Sequence, residues 1–225
     1  MSGESREYPR VITSIGDWLG PDIRSGRAVR RYIPPDKDVY ATCLVEHGRL
    51  GRGYVLRVIR HGAETGQSSI HAAVDILADR GVPIYAARSG VAEFSGQKGG
   101  YGEVVVLRHC DGSNTLYAHM NQRALRPLEL VLGGALVGWV GSTSGFGSPP
   151  FNPEQWSTLA DPRCQRFRGM MPHLHFSVLG VGGPTLPVPA SWFISGDNER
   201  RYGIDPIPWM REHGIRAVCH EVAQP

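Results

Sequence analysis

Long apolar runs are missing from this sequence of 225 residues. No stretch approaches the ~20 consecutive apolar residues that a membrane-spanning helix requires, so we expect no membrane span. The first ten residues are polar and have no apolar core of a signal peptide. The chain as given therefore carries no recognisable export signal.

A strong charge imbalance is missing as well. The formal net charge is only +3 at pH 7, and the pI is about 8.8. No basic tract with interleaved aromatic residues accompanies this mild charge. The usual pattern of a nucleic-acid-binding protein is therefore absent, and we expect no nucleic-acid partner.

Cysteine is scarce and widely spaced, since Cys43, Cys110, Cys164 and Cys219 form no C-x-x-C pair. This spacing excludes the usual cysteine-based zinc site. Buried free thiols and two disulfides, in any of three pairings, both remain open.

Glycine and proline are plentiful, with 29 and 17 residues, which favours short strands joined by turns over a helical bundle. Short apolar runs bounded by glycine follow one another without long helical patterns between them. This pattern predicts an antiparallel all-β domain. Its strands are predicted at residues 82–87, 91–94, 103–109, 115–119, 135–140 and 173–179.

Changes in residue composition along the chain predict the domain organisation. Residues 1–50 are expected to form an N-terminal extension or flanking element, residues 51–210 the main domain, and residues 211–225 a C-terminal tail. Two irregular segments, 148–171 and 181–203, are expected to be insertions in the main domain.

Two histidines lie on one face of the last predicted strand. With a period of two, His173, His175 and Ser177 face one side, and the apolar residues between them face the core. A solvated strand face would also explain such a pair of histidines.

His71 and Asp75 are four residues apart, a spacing that a helical surface pair would also explain. Gly66, Gly81 and Pro83 disfavour a helix of any length in this segment. A turn or a bent strand could instead aim both side chains at one point.

His119 ends the predicted strand at residues 115–119 and adds a further imidazole. Neutral imidazole and carboxylate are zinc ligands, and a catalytic zinc needs three protein ligands with a fourth position open for water. The histidines together with Asp75 supply three such ligands and leave two imidazoles for proton chemistry.

These motifs resemble the three signatures of the lysostaphin/LytM-type zinc metallo-endopeptidases, which are peptidoglycan hydrolases, and they occur in the same order. The resemblance runs from about residue 65 to residue 178. Ala73 replaces a glycine that is usual in that family. The three matching motifs are His71-x-x-x-Asp75, Tyr117-Ala-His119 and His173-Leu-His175.

The resemblance implies both a fold and a site. The fold would consist of packed antiparallel sheets with an open groove and few short helices. Matched residue by residue, His71, Asp75 and His175 would hold Zn²⁺ as the cofactor. His119 and His173 would be the catalytic residues beside the metal.

The implied function is zinc-dependent hydrolysis of peptide bonds in bacterial peptidoglycan, in the stem peptide or the cross-bridge, by attack of a metal-activated water. Two alternatives remain open: a non-catalytic cell-wall-binding or activator module, and a virion tail component that carries this domain. The expected partners are peptidoglycan peptides. Because the wall lies outside the cytoplasm, delivery by a phage particle, a lysis pore or another secretion route remains open, as does assembly with a virion or secretion machinery.

Overall fold

A computed structural model describes residues 38–53, 71–143, 172–180, 199 and 202–222. Within these residues no helix has the length and apolar character needed to cross a membrane. In this part of the chain there are eleven strands, one 3-10 turn (Gly99–Tyr101) and the helix α1 (Pro206–Glu212), and Glu199 and Tyr202 are helical as well. The strands are β1 (Cys43–Leu50), β2 (Val74–Leu77), β3 (Pro83–Tyr85), β4 (Gly90–Lys98), β5 (Gly102–Arg108), β6 (Asn114–Arg123), β7 (Leu130–Val131), β8 (Leu136–Val140), β9 (His173–Leu179), β10 (Gly203–Ile204) and β11 (Arg216–Glu221).

All eleven strands belong to one connected sheet in the order β10-β9-β2-β1-β3-β8-β6-β5-β4-β7, with β11 paired to β1. An additional pairing between β6 and β9 closes β9, β2, β1, β3, β8 and β6 into a ring. Among the described strands, every pairing is antiparallel except that of β1 with β11. The predicted all-β class is confirmed.

Alternation along the strands separates two apolar clusters. In β9, Leu174, Phe176 and Val178 belong to the main core, which confirms the predicted core face of that strand. A smaller cluster lies on the other face of the β5–β6 hairpin and includes Val104 and Ala118. The histidines of β9 therefore project away from the main core.

The flanking segments contribute to the sheet. β1 comes from the predicted N-terminal extension and pairs with β2 and β3 as well as with β11, which comes from the predicted C-terminal tail. The domain boundaries at residues 50 and 210 stay a prediction. The predicted insertion at 148–171 lies outside the described residues, and only residues 199, 202 and 203 of 181–203 are described.

Helix α1 packs the end of the chain onto the core. Asp205 caps its first turn, because its Oδ1 accepts a hydrogen bond from the Ile207 amide at 2.9 Å, and Pro206 occupies the first helical position. Trp209 and Met210 are buried in the main core cluster. The helix thereby leads the chain into β11, which returns alongside β1.

A disulfide links Cys43 of β1 to Cys219 of β11 across 176 residues. Cys110 is a free thiol, and Cys164 lies outside the described residues. This is one of the pairings that the sequence left open.

The disulfide gives a testable expectation for stability. Because a long closed loop restricts the unfolded chain, Cys219→Ser should lower the free energy of unfolding by about 2–5 kcal/mol. Urea titration measures this loss, with Cys110→Ser as the matched control for removal of a thiol. A wild-type unfolding midpoint that does not respond to reductant would contradict the disulfide.

Candidate metal centre

Three side chains meet where β2 and β9 pair. Asp75 on β2 lies directly opposite His175 on β9, and His71 precedes β2 by three residues. The Asp75 Oδ1 atom is 3.0 Å from His71 Nε2 and 3.2 Å from His175 Nδ1. A bent approach to a strand, rather than a helical surface, thus brings His71 and Asp75 together.

The second nitrogen of each imidazole is held by an acceptor. His71 Nδ1 donates to the Gly53 carbonyl oxygen at 2.9 Å, and His175 Nε2 donates to Glu199 Oε1 at 3.2 Å. A carbonyl and a carboxylate can only accept, so these contacts place a proton on those nitrogens. In the neutral rings the lone pairs therefore lie on His71 Nε2 and His175 Nδ1, the two atoms that face Asp75.

This donor set is suited to a cation. Ligand atoms of His71, Asp75 and His175 all lie within 4.8 Å of one another. Burial alone would lower the pKa of His175, but hydrogen bonds to Asp75 and Glu199 outweigh it and raise the pKa to about 9. Burial opposes ionisation of Asp75, yet its close polar contacts with His175 and His71 hold its pKa well below the usual range. The carboxylate is ready to bind a cation, and a proton on His175 is what a metal would displace.

His119 reaches the site through a β-bulge. Met120 of β6 pairs with Glu103 and Tyr117 pairs with Val105, so two residues of β6 lie opposite one residue of β5. His119 has φ +59°, in the left-handed region that is uncommon for a residue other than glycine. The bulge turns His119 away from the main core, where a regular strand would have placed it beside Tyr117.

A backbone carbonyl fixes the His119 ring. Its Nδ1 donates to the Thr143 carbonyl oxygen at 2.9 Å, which leaves Nε2 as the unprotonated atom of the neutral ring. Burial, together with His175 and His173 nearby, lowers the pKa of His119 to about 3. The ring is therefore neutral near pH 7.

His173 completes the group of five. Its ring centroid is 4.8 Å from that of His119, and its Nε2 is 3.8 Å from Asp75 Oδ1. All four imidazole residues are at most 8% exposed, so the face of β9 that carries His173 and His175 is not a solvated strand face. The structure brings together all five residues that the sequence singled out.

Two supporting residues were missed by the sequence reasoning. Thr143 anchors His119, and Glu199 is hydrogen-bonded to His175. Glu199 comes from a segment with no strand pattern and no metal-ligand spacing, so the sequence carried no signal for it. Thr143 acts through its backbone, which side-chain motifs do not reveal.

The model of peptidase family M23 matches residues 69–187, which is more than half of the chain. The matched range includes the four histidines of the site and Asp75. The chain belongs to peptidase family M23. Glu199 lies beyond the matched M23 range.

Two curated relatives each match part of the chain. DD-carboxypeptidase/endopeptidase Mpg of Neisseria meningitidis serogroup B is 36% identical over 120 residues, covering 53% of this chain and 22% of the relative. Peptidoglycan DD-endopeptidase ShyC of Vibrio cholerae is 34% identical over 90 residues, covering 40% of this chain and 21% of the relative. The chain thus spans only about a fifth of the length of each of these relatives.

The M23 fold is also evident in a solved structure. Lysostaphin from Staphylococcus simulans superposes with a TM-score of 0.52 at 22% identity, covering 78% of this chain and 55% of lysostaphin. This likeness agrees with the all-β architecture described above.

Gly102 gives a test of how His119 is held. Gly102 has φ +64°, and a Cβ there would lie 2.3 Å from both the carbonyl oxygen and Oγ1 of Thr143. Gly112 also has a positive φ, +85°, but no atom within 4 Å of such a Cβ. Gly112→Ala should cost about 1–2 kcal/mol of unfolding free energy for the left-handed backbone. Gly102→Ala should lower the free energy of unfolding, measured by urea titration, clearly more than Gly112→Ala does. Equal losses would show that Thr143 can move aside without cost.

Proposed function

We propose that this M23 chain is a zinc-dependent endopeptidase that hydrolyses peptide bonds in bacterial peptidoglycan. The observation that carries the proposal is the convergence of two imidazole nitrogens and one carboxylate oxygen on one point, with a second pair of imidazoles alongside. The relatives Mpg, a DD-carboxypeptidase/endopeptidase, and ShyC, a peptidoglycan DD-endopeptidase, support the choice of substrate class.

The residues present fit zinc. Two imidazole nitrogens and one carboxylate oxygen form a ligand set of a type found in catalytic zinc sites, which leave a further position open. His71 would bind through Nε2, Asp75 through its carboxylate and His175 through Nδ1. When bound, zinc supplies a Lewis acid that makes water a nucleophile at neutral pH.

The second pair of imidazoles handles protons and developing charge. Proton exchange at His119 takes place at Nε2, because Nδ1 is held by Thr143. His173 and His119 lie side by side, so one can accept a proton from the attacking water while the other donates a hydrogen bond to the oxyanion. Burial of both rings excludes bulk water from around them and strengthens these interactions.

We propose further that the protein acts on the wall outside the cytoplasm. The Cys43–Cys219 disulfide supports this proposal, because structural disulfides form and persist in oxidising compartments. Hydrolysis of purified cell walls in a zymogram, with and without a chelator, tests the activity. Mass spectrometry of the released fragments identifies the bond that is cut.

Loss of the carboxylate ligand gives the first functional prediction. Asp75→Ala removes the oxygen that lies between the two imidazoles, so both zinc content and wall hydrolysis should be lost. Zinc per chain is measured by elemental analysis of the purified protein. The matched control is Asp79→Ala, since Asp79 is an exposed carboxylate four residues further along the chain. Full zinc occupancy in Asp75→Ala would rule out the assigned ligand set.

Removal of the second imidazole pair gives a different result. His119→Asn, which suits a positive φ, and His173→Ala should keep zinc but reduce wall hydrolysis by a factor on the order of 10²–10⁴ through lost proton transfer. His220→Ala is the control, because His220 lies exposed on β11. The division of roles is wrong if either variant loses zinc as readily as His175→Ala does.

A further inference from the structure

Glu199 is a buried carboxylate beside the candidate metal centre. Only 5% of the residue is exposed. Its Oε1 accepts hydrogen bonds from His175 Nε2 at 3.2 Å and from the Ser177 hydroxyl, and its Oε2 accepts one from the Tyr101 hydroxyl at 2.6 Å. Both carboxylate oxygens are thus hydrogen-bonded.

Burial of such a group is costly unless its charge is compensated. Taking a carboxylate out of water costs several kcal/mol, which good hydrogen bonds and an opposite charge must offset. Among the described residues, the ion-pair partner of Glu199 is the imidazole of His175 rather than a lysine or an arginine. The Glu199 carboxylate is therefore directed at one imidazole of the site. A carboxylate that served only to stabilise the fold would not need to pair with His175.

The contact lies on the nitrogen of His175 that faces away from Asp75. His175 Nδ1 is 3.2 Å from Asp75 Oδ1, while Nε2 on the opposite side of the ring contacts Glu199. A carboxylate on the outer nitrogen of a metal-binding histidine fixes the tautomer and the ring orientation, and it increases the basicity of the inner nitrogen.

We propose that Glu199 is a positioning residue that holds His175 with Nδ1 directed at the metal, an inference that rests on the zinc site proposed above. The match to the M23 family covers residues 69–187, so it does not include Glu199 and gives it no role. A chain segment beyond that range thus completes the surroundings of the metal.

Two neighbours hold Glu199 in turn. Ser177 follows His175 on the same face of β9, so its hydroxyl reaches the oxygen that accepts from His175. Tyr101 belongs to the 3-10 turn before β5, and its ring meets that of His175 edge-on at 5.9 Å between centroids. The carboxylate is therefore fixed from two separate elements and has little freedom to leave the ring.

The test compares zinc affinity in full-length variants by competition with a chromophoric chelator. Glu199→Ala should weaken zinc binding by about 10–100-fold, the range found when such outer partners are removed. Glu199→Gln keeps an acceptor oxygen without the charge and should lose less, as a partial rescue. Glu221→Gln is the matched control, because Glu221 is an exposed glutamate on β11, and it should bind zinc as the wild type does.

A spectroscopic measurement separates positioning from a purely structural role. With Co²⁺ in place of zinc, the visible absorption bands should change in Glu199→Ala and stay unchanged in Glu221→Gln, because they report on the ligands around the ion. Tyr101→Phe removes only the hydroxyl that holds Oε2, and it should shift affinity in the same direction by a smaller factor. If Glu199→Ala does not fold, Glu199→Gln and Tyr101→Phe provide the decisive comparison.

The possible failures are distinguishable. A wild-type chain that binds zinc, with variants at Glu199 that bind it equally well and show an unchanged Co²⁺ spectrum, overturns the positioning role alone. A wild-type chain that does not bind zinc overturns the proposed function on which this role rests.

Discussion

The antiparallel register between β2 and β9 is the constraint on which the site depends, because it sets Asp75 directly opposite His175. Apolar side chains fix this register from the other face. Val74 and Ile76 are buried in the main core opposite apolar residues of β9, and full burial of each such side chain contributes about 1.5–3 kcal/mol. A slip of one residue would turn every side chain to the opposite face and bring apolar groups to the candidate site. The polar site is thus held in place by hydrophobic burial behind it.

The main strands and the faces of β9 were predictable from the sequence. Glycine-bounded apolar runs located β3, β4, β5, β6, β8 and β9 to within a few residues, because each packs apolar side chains against a core. β1 and β11 were not predicted, since their parallel pairing joins segments about 170 residues apart and local patterns carry no information about it. Only the three-dimensional structure, with its Cys43–Cys219 bond, reveals that β1 and β11 pair.

The geometry around His119 and Glu199 was less predictable. Motif spacing singled out His119, yet only the bulge explains how a residue two positions after the buried Tyr117 reaches the face that carries the candidate site. No glycine marks that bulge, so the sequence offered no sign of the positive φ. Glu199 is brought to His175 by a segment without periodicity, and only three-dimensional proximity identifies it.

One set of hydrogen bonds, made by acceptors on the outer nitrogens of three imidazoles, fixes which atoms of the site donate and accept. Gly53, Glu199 and Thr143 each accept from the outer nitrogen of one imidazole, so the inner nitrogens of three rings point toward a shared space. Two of these anchors are backbone carbonyls, which cannot be lost by side-chain substitution. Preorganisation of this kind spares the site a rearrangement when a cation or a substrate arrives.

The disulfide between β1 and β11 has a consequence for survival among proteases. Cys43 and Cys219 belong to the first and the last described strand along the chain, so every strand from β2 to β10 lies between them in sequence. A single cut at any peptide bond in that interval leaves the two fragments covalently joined. Because the fragments also share the ring of paired strands, a nicked chain keeps its parts at high local concentration and can remain assembled around the candidate metal centre.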